Sequence, residues 1–157
     1  PAPRPPGAKE APMPPTRRAA DPPASPHAAL RGKLMLPVRG EITGRFGRPR
    51  PEGGAAWKGL FIRAPEGAEV RAAAAGQVVH ADWLRGYGNL LVLDHGDGLL
   101  SVYGNNESLL REAGQTVKAG EVVATVGNTG GNTESGLYFE LRQQGQAFDP
   151  LRWVDLR

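Results

Sequence analysis

The distribution of proline divides this chain into two parts. Ten of its 15 prolines lie within residues 1–30, where Met13 and Leu30 are the only large apolar side chains. Proline fixes φ and has no N–H to donate, so this density opposes both helices and sheet ladders. So little apolar surface cannot offset the entropy lost on ordering. The sequence predicts a flexible Pro/Ala-rich linker at 1–30, with a proline-rich ligand motif as the alternative, followed by one folded domain at 31–157.

Composition excludes several classes of function. The net charge is +3, but residues 31–157 hold 15 Lys+Arg against 14 Asp+Glu and have no basic stripe interleaved with aromatic residues, so we expect no nucleic-acid partner. No apolar stretch approaches 18 residues, so we expect no membrane span. The absence of cysteine excludes disulfides and thiolate metal sites. Because the chain begins with Pro1 rather than Met, we expect a fragment or a processed form.

Short runs of β-branched and large apolar residues alternate with glycine-containing turns throughout residues 31–157. Their spacing, without a long helical period, predicts an all-β fold, an antiparallel β-sandwich or open barrel. One short helix is predicted at Glu107–Glu112, with Asn106 as its N-cap. A hairpin is predicted across residues 95–98. The predicted strands are 60–62, 69–72, 77–83, 89–94, 99–103, 121–126 and 137–142.

Several short strings, in order along residues 34–154, resemble the LytM or lysostaphin-type zinc endopeptidase domain. Each string alone is weak, but their ordered combination is specific. Active members of that family cut peptidoglycan peptides, and the resemblance implies their β-fold, of the duplicated hybrid motif type. The matching strings are LPVRG at 36–40, TGRFG at 43–47, WKG at 57–59, PEGAEV at 65–70, GQVV at 76–79, GYGN at 86–89, DHGDG at 94–98, YGN at 103–105, VKAGE at 117–121, VGNTG at 126–130, LYFE at 137–140 and DP at 149–150.

The zinc ligands of that family are missing at the matching positions. Where active members have a His-x-Gly-x-Asp motif, this chain has Trp57 and Phe61, and their final His-x-His becomes Gly136 and Tyr138. Asn105 replaces a further catalytic histidine. A catalytic zinc site needs three N, O or S ligands and an open position. We therefore expect a degenerate metallopeptidase with no catalytic residue, no metal and no cofactor.

The three histidines of the chain offer little to rebuild a site. His27 lies in the predicted linker, His95 lies in a turn string that active relatives share, and His80 lies in a predicted strand. We interpret them as structural or surface residues, with a new metal site at His80 or His95 as the alternative.

A narrower resemblance rests on the strings at 57–59, 81–88, 103–106 and 136–142, which are similar to those of EnvC-type murein hydrolase activators. Those proteins are non-catalytic LytM proteins of the Gram-negative periplasm. The resemblance implies that this domain binds zinc N-acetylmuramoyl-L-alanine amidases at the division septum. It implies capture of the helix that blocks the amidase active site, so that septal peptidoglycan is split and daughter cells separate. Divisome proteins are implied as partners of upstream regions.

The candidate site is the groove that the lost zinc would leave. Because Tyr138 replaces a metal-facing histidine, its side chain is expected to face this groove, with Phe61 beside it. Arg142 shares that face, four residues along the same predicted strand. Tyrosine and arginine often anchor interfaces, and an amphipathic helix would fit here. The predicted partner-binding residues are Lys58, Tyr87, Tyr103, Tyr138 and Arg142, each with simple packing or solvation as the alternative.

Other classes of function remain open at this point. The same groove could bind muropeptide, which would make the domain a peptidoglycan-binding module. The domain could also be a structural part of the divisome without direct amidase contact, or a residual hydrolase.

Overall fold

A computed structural model describes residues 34–50, 55–129 and 134–155, so the linker predicted at 1–30 and His27 lie outside the described residues. Almost all regular structure in them is strand, and a 3-10 turn at Pro150–Arg152 is capped by the Asp149 carboxylate. None of these residues forms a helix long and apolar enough to cross a membrane. The strands are β1 (Leu34–Met35), β2 (Glu41–Gly44), β3 (Leu60–Arg63), β4 (Glu69–Arg71), β5 (Gly76–Leu84), β6 (Gly88–Asp94), β7 (Leu99–Leu109), β8 (Thr116–Val117), β9 (Val122–Val126), β10 (Gly136–Gln143), β11 (Gln146–Phe148) and β12 (Val154–Asp155).

The main sheet is antiparallel and open. Its strands follow the order β2-β3-β10-β7-β6-β5-β8, with β11 paired to β10 and β9 paired to both β4 and β7. Strands β1 and β12 form a separate parallel pair. The hairpin predicted across 95–98 joins β6 to β7, and its turn contains Gly96, Asp97 and Gly98 with positive φ, a conformation that glycine adopts without strain. The predicted all-β fold is confirmed, and each predicted strand is present.

The predicted helix at Glu107–Glu112 is wrong. Strand β7 continues through Leu109, with Ser108 opposite Thr125 and Leu109 opposite Ala124 of β9. Asn106, the expected N-cap, instead donates from its side chain to the carbonyls of Asn89 and Tyr103. Pairing with β9 supplies the backbone partners of this segment, and this tertiary context overrides local helix preference.

The main sheet buries apolar side chains on both of its faces. Along β6, Leu91 and Leu93 join the main core, whereas Leu90 and Val92 join a smaller cluster on the opposite face. All four are fully buried. Successive side chains of a strand point to opposite faces, so each central strand contributes to both clusters. We call the face with the smaller cluster the groove face; its buried members are Phe61, Tyr87, Leu90, Val92, Leu100, Val102 and Tyr138.

Tyr103 lies in the main core, so its predicted position at the edge of the groove is wrong. The side chain is fully buried, on the opposite face of the sheet from Tyr138, with its ring 5.5 Å from that of Phe139. Its hydroxyl accepts from the Ala73 N–H at 2.9 Å and lies 2.7 Å from Ser101 Oγ. Burial raises the pKa of this hydroxyl to about 12, so it stays protonated.

His95 extends this buried chain of hydrogen bonds. Its Nδ1 lies 2.6 Å from the Ala75 carbonyl, which can only accept, and its Nε2 lies 2.7 Å from Ser101 Oγ. With a neutral imidazole, His95 donates to Ala75 and accepts from Ser101, and Ser101 in turn accepts from Tyr103. The side chain thus ties the β6–β7 hairpin to the segment before β5, a structural role.

Removal of the Tyr103 hydroxyl tests this network. Tyr103→Phe leaves the Ala73 N–H without its acceptor in the core, so we expect a loss of about 1–3 kcal/mol in the free energy of unfolding. Urea titration followed by circular dichroism measures it. In a Ser101→Ala background the same change is expected to cost less, because the Tyr103 hydroxyl has already lost its hydrogen bond to Ser101. Equal stability of Tyr103→Phe and the natural chain would contradict the assigned network.

Candidate binding groove

An aromatic cluster fills the centre of the groove face. The half-buried Trp57 ring stacks on Phe61 with 6.0 Å between centroids and on Tyr138 with 6.2 Å, and Tyr87 lies 5.9 Å from Tyr138. Phe61 and Tyr138 are directly opposite each other on the paired strands β3 and β10. The positions that the LytM resemblance assigns to zinc ligands therefore converge, as three stacked rings.

Two glycines make room for these rings. A Cβ at Gly136 would lie 2.5 Å from Phe61 Cζ and 2.6 Å from the Ile62 carbonyl oxygen. A Cβ at Gly44, on the neighbouring strand β2, would lie 2.5 Å from Trp57 Cε2. Neither position has space for a side chain. Gly136, which stands where active LytM members have a histidine, is thus fitted to the Phe61 ring.

Asn105 joins two loops beside the groove. Its φ is 65°, a left-handed conformation that asparagine tolerates better than most residues. The backbone N–H donates to the Tyr87 carbonyl, and the side-chain Nδ2 donates to the carbonyls of Tyr87 and Thr129. The side chain matched to a catalytic histidine therefore holds the turn that carries Tyr87.

A buried carboxylate links the two residues that the sequence analysis placed on one face of β10. Glu140 is fully buried; Tyr138 Oη donates to its Oε1 at 2.6 Å, and Arg142 Nε donates to its Oε2. Glu140 is not among the site residues predicted from the sequence. Its position midway between Tyr138 and Arg142 could have identified it, because residues two apart on a strand share a face.

The local strand geometry explains how Glu140 is accommodated. On one side it lies opposite Val102 of β7. On the other side a Cβ at Gly59 would lie 2.3 Å from the Phe139 carbonyl oxygen and 3.1 Å from Glu140 Cβ, so glycine is required there. A buried carboxylate is costly unless it is paired, and here it has both a hydroxyl and a guanidinium partner.

The Tyr138 hydroxyl is held as a donor. Burial raises its pKa well above the ordinary value, and the adjacent Glu140 carboxylate raises it further. The phenol therefore stays neutral and donates to Glu140 throughout the physiological pH range.

Beside the aromatic cluster lies an open pocket of about 470 Å³. Trp57, Lys58 and Arg142 contribute to its wall, together with Phe46 and Gln146. The Lys58 side chain is exposed, whereas the Arg142 side chain is 12% exposed. A third cation, Arg50, places its guanidinium carbon 4.5 Å from the centroid of the Trp57 ring, a cation–π contact. Basic groups thus surround an apolar, aromatic depression.

The structure brings most of the predicted site residues together. Tyr87 and Tyr138 belong to the groove-face cluster, while Lys58 and Arg142 line the adjoining pocket. Both tyrosines are only 7% exposed, so little of either side chain is open to a partner. Tyr103 is the exception, since it belongs to the core on the opposite face.

No group of three or more histidine, cysteine, aspartate or glutamate side chains in residues 34–50, 55–129 and 134–155 is arranged to hold a metal ion. His80 lies on β5, and both ring nitrogens of His95 are engaged in the buried network. The positions that the LytM resemblance assigns to zinc ligands carry aromatic rings, which are not among the usual protein ligands of zinc.

Comparisons with known proteins relate this chain to one protein family. The family model described as Peptidase family M23 matches residues 55–150. The chain is 48% identical over 126 residues to the murein hydrolase activator EnvC of Escherichia coli, covering 80% of this chain and 30% of EnvC. It is 41% identical over 122 residues to the murein hydrolase activator NlpD of the same organism, covering 77% and 31%. The chain spans about a third of the length of these curated relatives.

Solved structures agree with this relationship. A zinc-containing peptidase from Vibrio cholerae superposes with a TM-score of 0.71 at 29% identity, covering 79% of this chain and 40% of that one. Lysostaphin from Staphylococcus simulans superposes with a TM-score of 0.67 at 25% identity, covering 76% and 52%. The LytM/lysostaphin-type fold predicted from the sequence is confirmed.

The fit between Gly136 and Phe61 is testable by adding one methyl group. Gly136→Ala places a Cβ against the ring and a backbone carbonyl, so we expect a loss of about 1–3 kcal/mol in unfolding free energy. The matched control is Gly104→Ala on the neighbouring strand β7, where a Cβ meets nothing closer than 3.3 Å. Equal melting temperatures for the two variants would contradict the claim that the ring occupies the space of the lost ligand.

Proposed function

The chain belongs to peptidase family M23, and from its homology to the EnvC and NlpD activators we propose that it activates a peptidoglycan hydrolase rather than cutting peptidoglycan itself. The observation that carries the proposal is the stacking of the Trp57, Phe61 and Tyr138 rings at the positions that the LytM resemblance assigns to zinc ligands. Three aromatic side chains cannot activate water on zinc. They do form an apolar cluster, and its half-buried Trp57 ring is of the residue type that often anchors a protein partner.

The proposed partner is a periplasmic N-acetylmuramoyl-L-alanine amidase, a zinc enzyme kept inactive by a helix over its active site. The groove would capture this regulatory helix through its apolar side, which packs on the rings near Tyr87 and Tyr138. Lys58 and Arg142 border the adjoining pocket and would pair with acidic side chains of the helix. Removal of the helix exposes the amidase zinc, and the amidase then splits septal peptidoglycan.

The proposal also covers the cellular context. We place the domain in the Gram-negative periplasm at the division septum, with divisome proteins engaged by regions that precede it in longer relatives. This chain covers about a third of the length of those relatives, and the proposal assigns recruitment to the remainder of them.

The direct test is stimulation of an autoinhibited amidase from the same organism. Adding the 157-residue chain to the amidase and dye-labelled peptidoglycan is expected to raise dye release, whereas the chain alone releases none. Release by the chain alone, lost on addition of a chelator, would instead make it a peptidase. Absence of stimulation together with tight binding of soluble muropeptides would instead favour a peptidoglycan-binding module.

A charge reversal at the groove separates binding from folding. Lys58 is exposed, so Lys58→Glu is expected to leave the melting temperature within about a degree, since surface changes cost little. Repulsion of an acidic partner is expected to lower stimulation about tenfold or more. The matched control is Lys118→Glu. Lys118 is exposed in the turn after β8, and Val117 of that strand packs in the main core, on the other face of the sheet. Equal stimulation by both variants would count against the groove as the binding site.

A further inference from the structure

Glu140 is fully buried, although none of the proposed groove contacts gives it a role. Its two carboxylate oxygens are engaged separately: Oε1 accepts from the Tyr138 hydroxyl at 2.6 Å, and Oε2 accepts from Arg142 Nε. Both donors belong to residues on the groove face. One buried group therefore holds two residues that the partner would contact.

Stability alone is a weak reason for such an arrangement. Desolvation of a buried ion pair commonly cancels its Coulomb energy, and apolar residues of similar volume serve stability as well or better. The neighbouring groove-face positions on β6 and β7 are in fact apolar, at Leu90, Val92, Leu100 and Val102. A buried carboxylate among them is explained more directly by the geometry it imposes on its two partners.

We propose that Glu140 is a positioning residue that fixes the Arg142 guanidinium and the Tyr138 ring in the orientation that receives the partner. This inference rests on the proposed function, because it assigns a cause to the shape of the same groove. An arginine side chain loses much rotamer freedom on binding, and an interface that fixes the side chain in advance avoids that entropic cost. The hydrogen bond from Arg142 Nε to Glu140 fixes the plane of the guanidinium group at the wall of the pocket.

The chain contains a matched comparison for this arrangement. Glu69 and Arg71 have the same spacing of two residues on strand β4 and also form an ion pair, but their side chains are 57% and 48% exposed. The side chains of Glu140 and Arg142 are 0% and 12% exposed. An exposed pair of this kind is screened by water and contributes little to orientation. Burial is therefore the property that would make Glu140 a positioning group.

The natural chain itself provides the first measurement. Hydrogen exchange of arginine Nε–H groups, followed by NMR of the ¹⁵N-labelled protein, is expected to be at least about tenfold slower at Arg142 than at Arg71, because the Arg142 bond is buried. Equal exchange rates would overturn the proposal. This measurement needs no variant, so it remains decisive even if substitutions at Glu140 prevent folding.

The second measurement is a double-mutant cycle on amidase stimulation. Glu140→Gln keeps the size of the side chain but has one carbonyl oxygen for two donors, so we expect stimulation to fall about tenfold. In an Arg142→Ala background the same change is expected to lower stimulation less than in the natural chain, because only the part of its effect that runs through Tyr138 remains. Glu69→Gln, the matched control, is expected to leave stimulation unchanged.

The outcomes separate this inference from the proposed function. Normal stimulation by a folded Glu140→Gln variant, or full additivity with Arg142→Ala, would overturn the positioning role while the activator function stands. Failure of the natural chain to stimulate any amidase would overturn the proposed function, and the exchange rates would still decide whether Glu140 holds Arg142.

Discussion

The two-residue alternation of side chains along the central strands is the constraint on which both the core and the groove depend. On β10, Leu137, Phe139 and Leu141 enter the main core, whereas Tyr138, Glu140 and Arg142 face the other way. A slip of one residue in register would exchange the two sets and place a carboxylate and a guanidinium in the core. Complete burial of the apolar set fixes the register, and the fixed register places the groove residues.

In the groove, aromatic side chains fill the positions that the LytM resemblance assigns to zinc ligands. Trp57, Phe61 and Tyr138 meet where the family resemblance places zinc ligands, and Gly44 and Gly136 lack the side chains that would compete with the rings. Close packing of this kind is as exacting as that of a core. The same strands that would present ligands to an ion thus present a rigid aromatic surface with basic groups beside it.

Much of this architecture could be predicted from sequence, because strand runs and glycine turns are local signals. The predicted strands, the 95–98 hairpin and the convergence of positions 57, 61 and 138 all follow from such signals and from family motifs. The short strands β1, β2, β8, β11 and β12 were missed, since two to four residues show little periodicity. The helix at 107–112 was wrong because pairing with β9 is a non-local interaction.

Long-range packing also explains the two misjudged site residues. Tyr103 and Tyr138 each lie next to glycine in similar sequence strings. That they point to opposite faces of the sheet becomes clear only when the register of β7 against β10 is known. In the sequence, nothing distinguishes Glu140 from an exposed strand residue; the structure shows that it is fully buried. Burial of a charged side chain depends on neighbours distant in sequence, here Gly59 and Val102.

The indole N–H signals of the three tryptophans report directly on whether a partner binds at the groove face. Trp57 lies in the groove, Trp153 is buried in the main core, and the exposed Trp83 lies on the core side of β5, two residues after Ala81. On titration of the ¹⁵N-labelled chain with amidase, binding at the groove face is expected to shift the Trp57 signal, while the Trp83 and Trp153 signals stay in place. A shift of the Trp83 signal with Trp57 unchanged would contradict it.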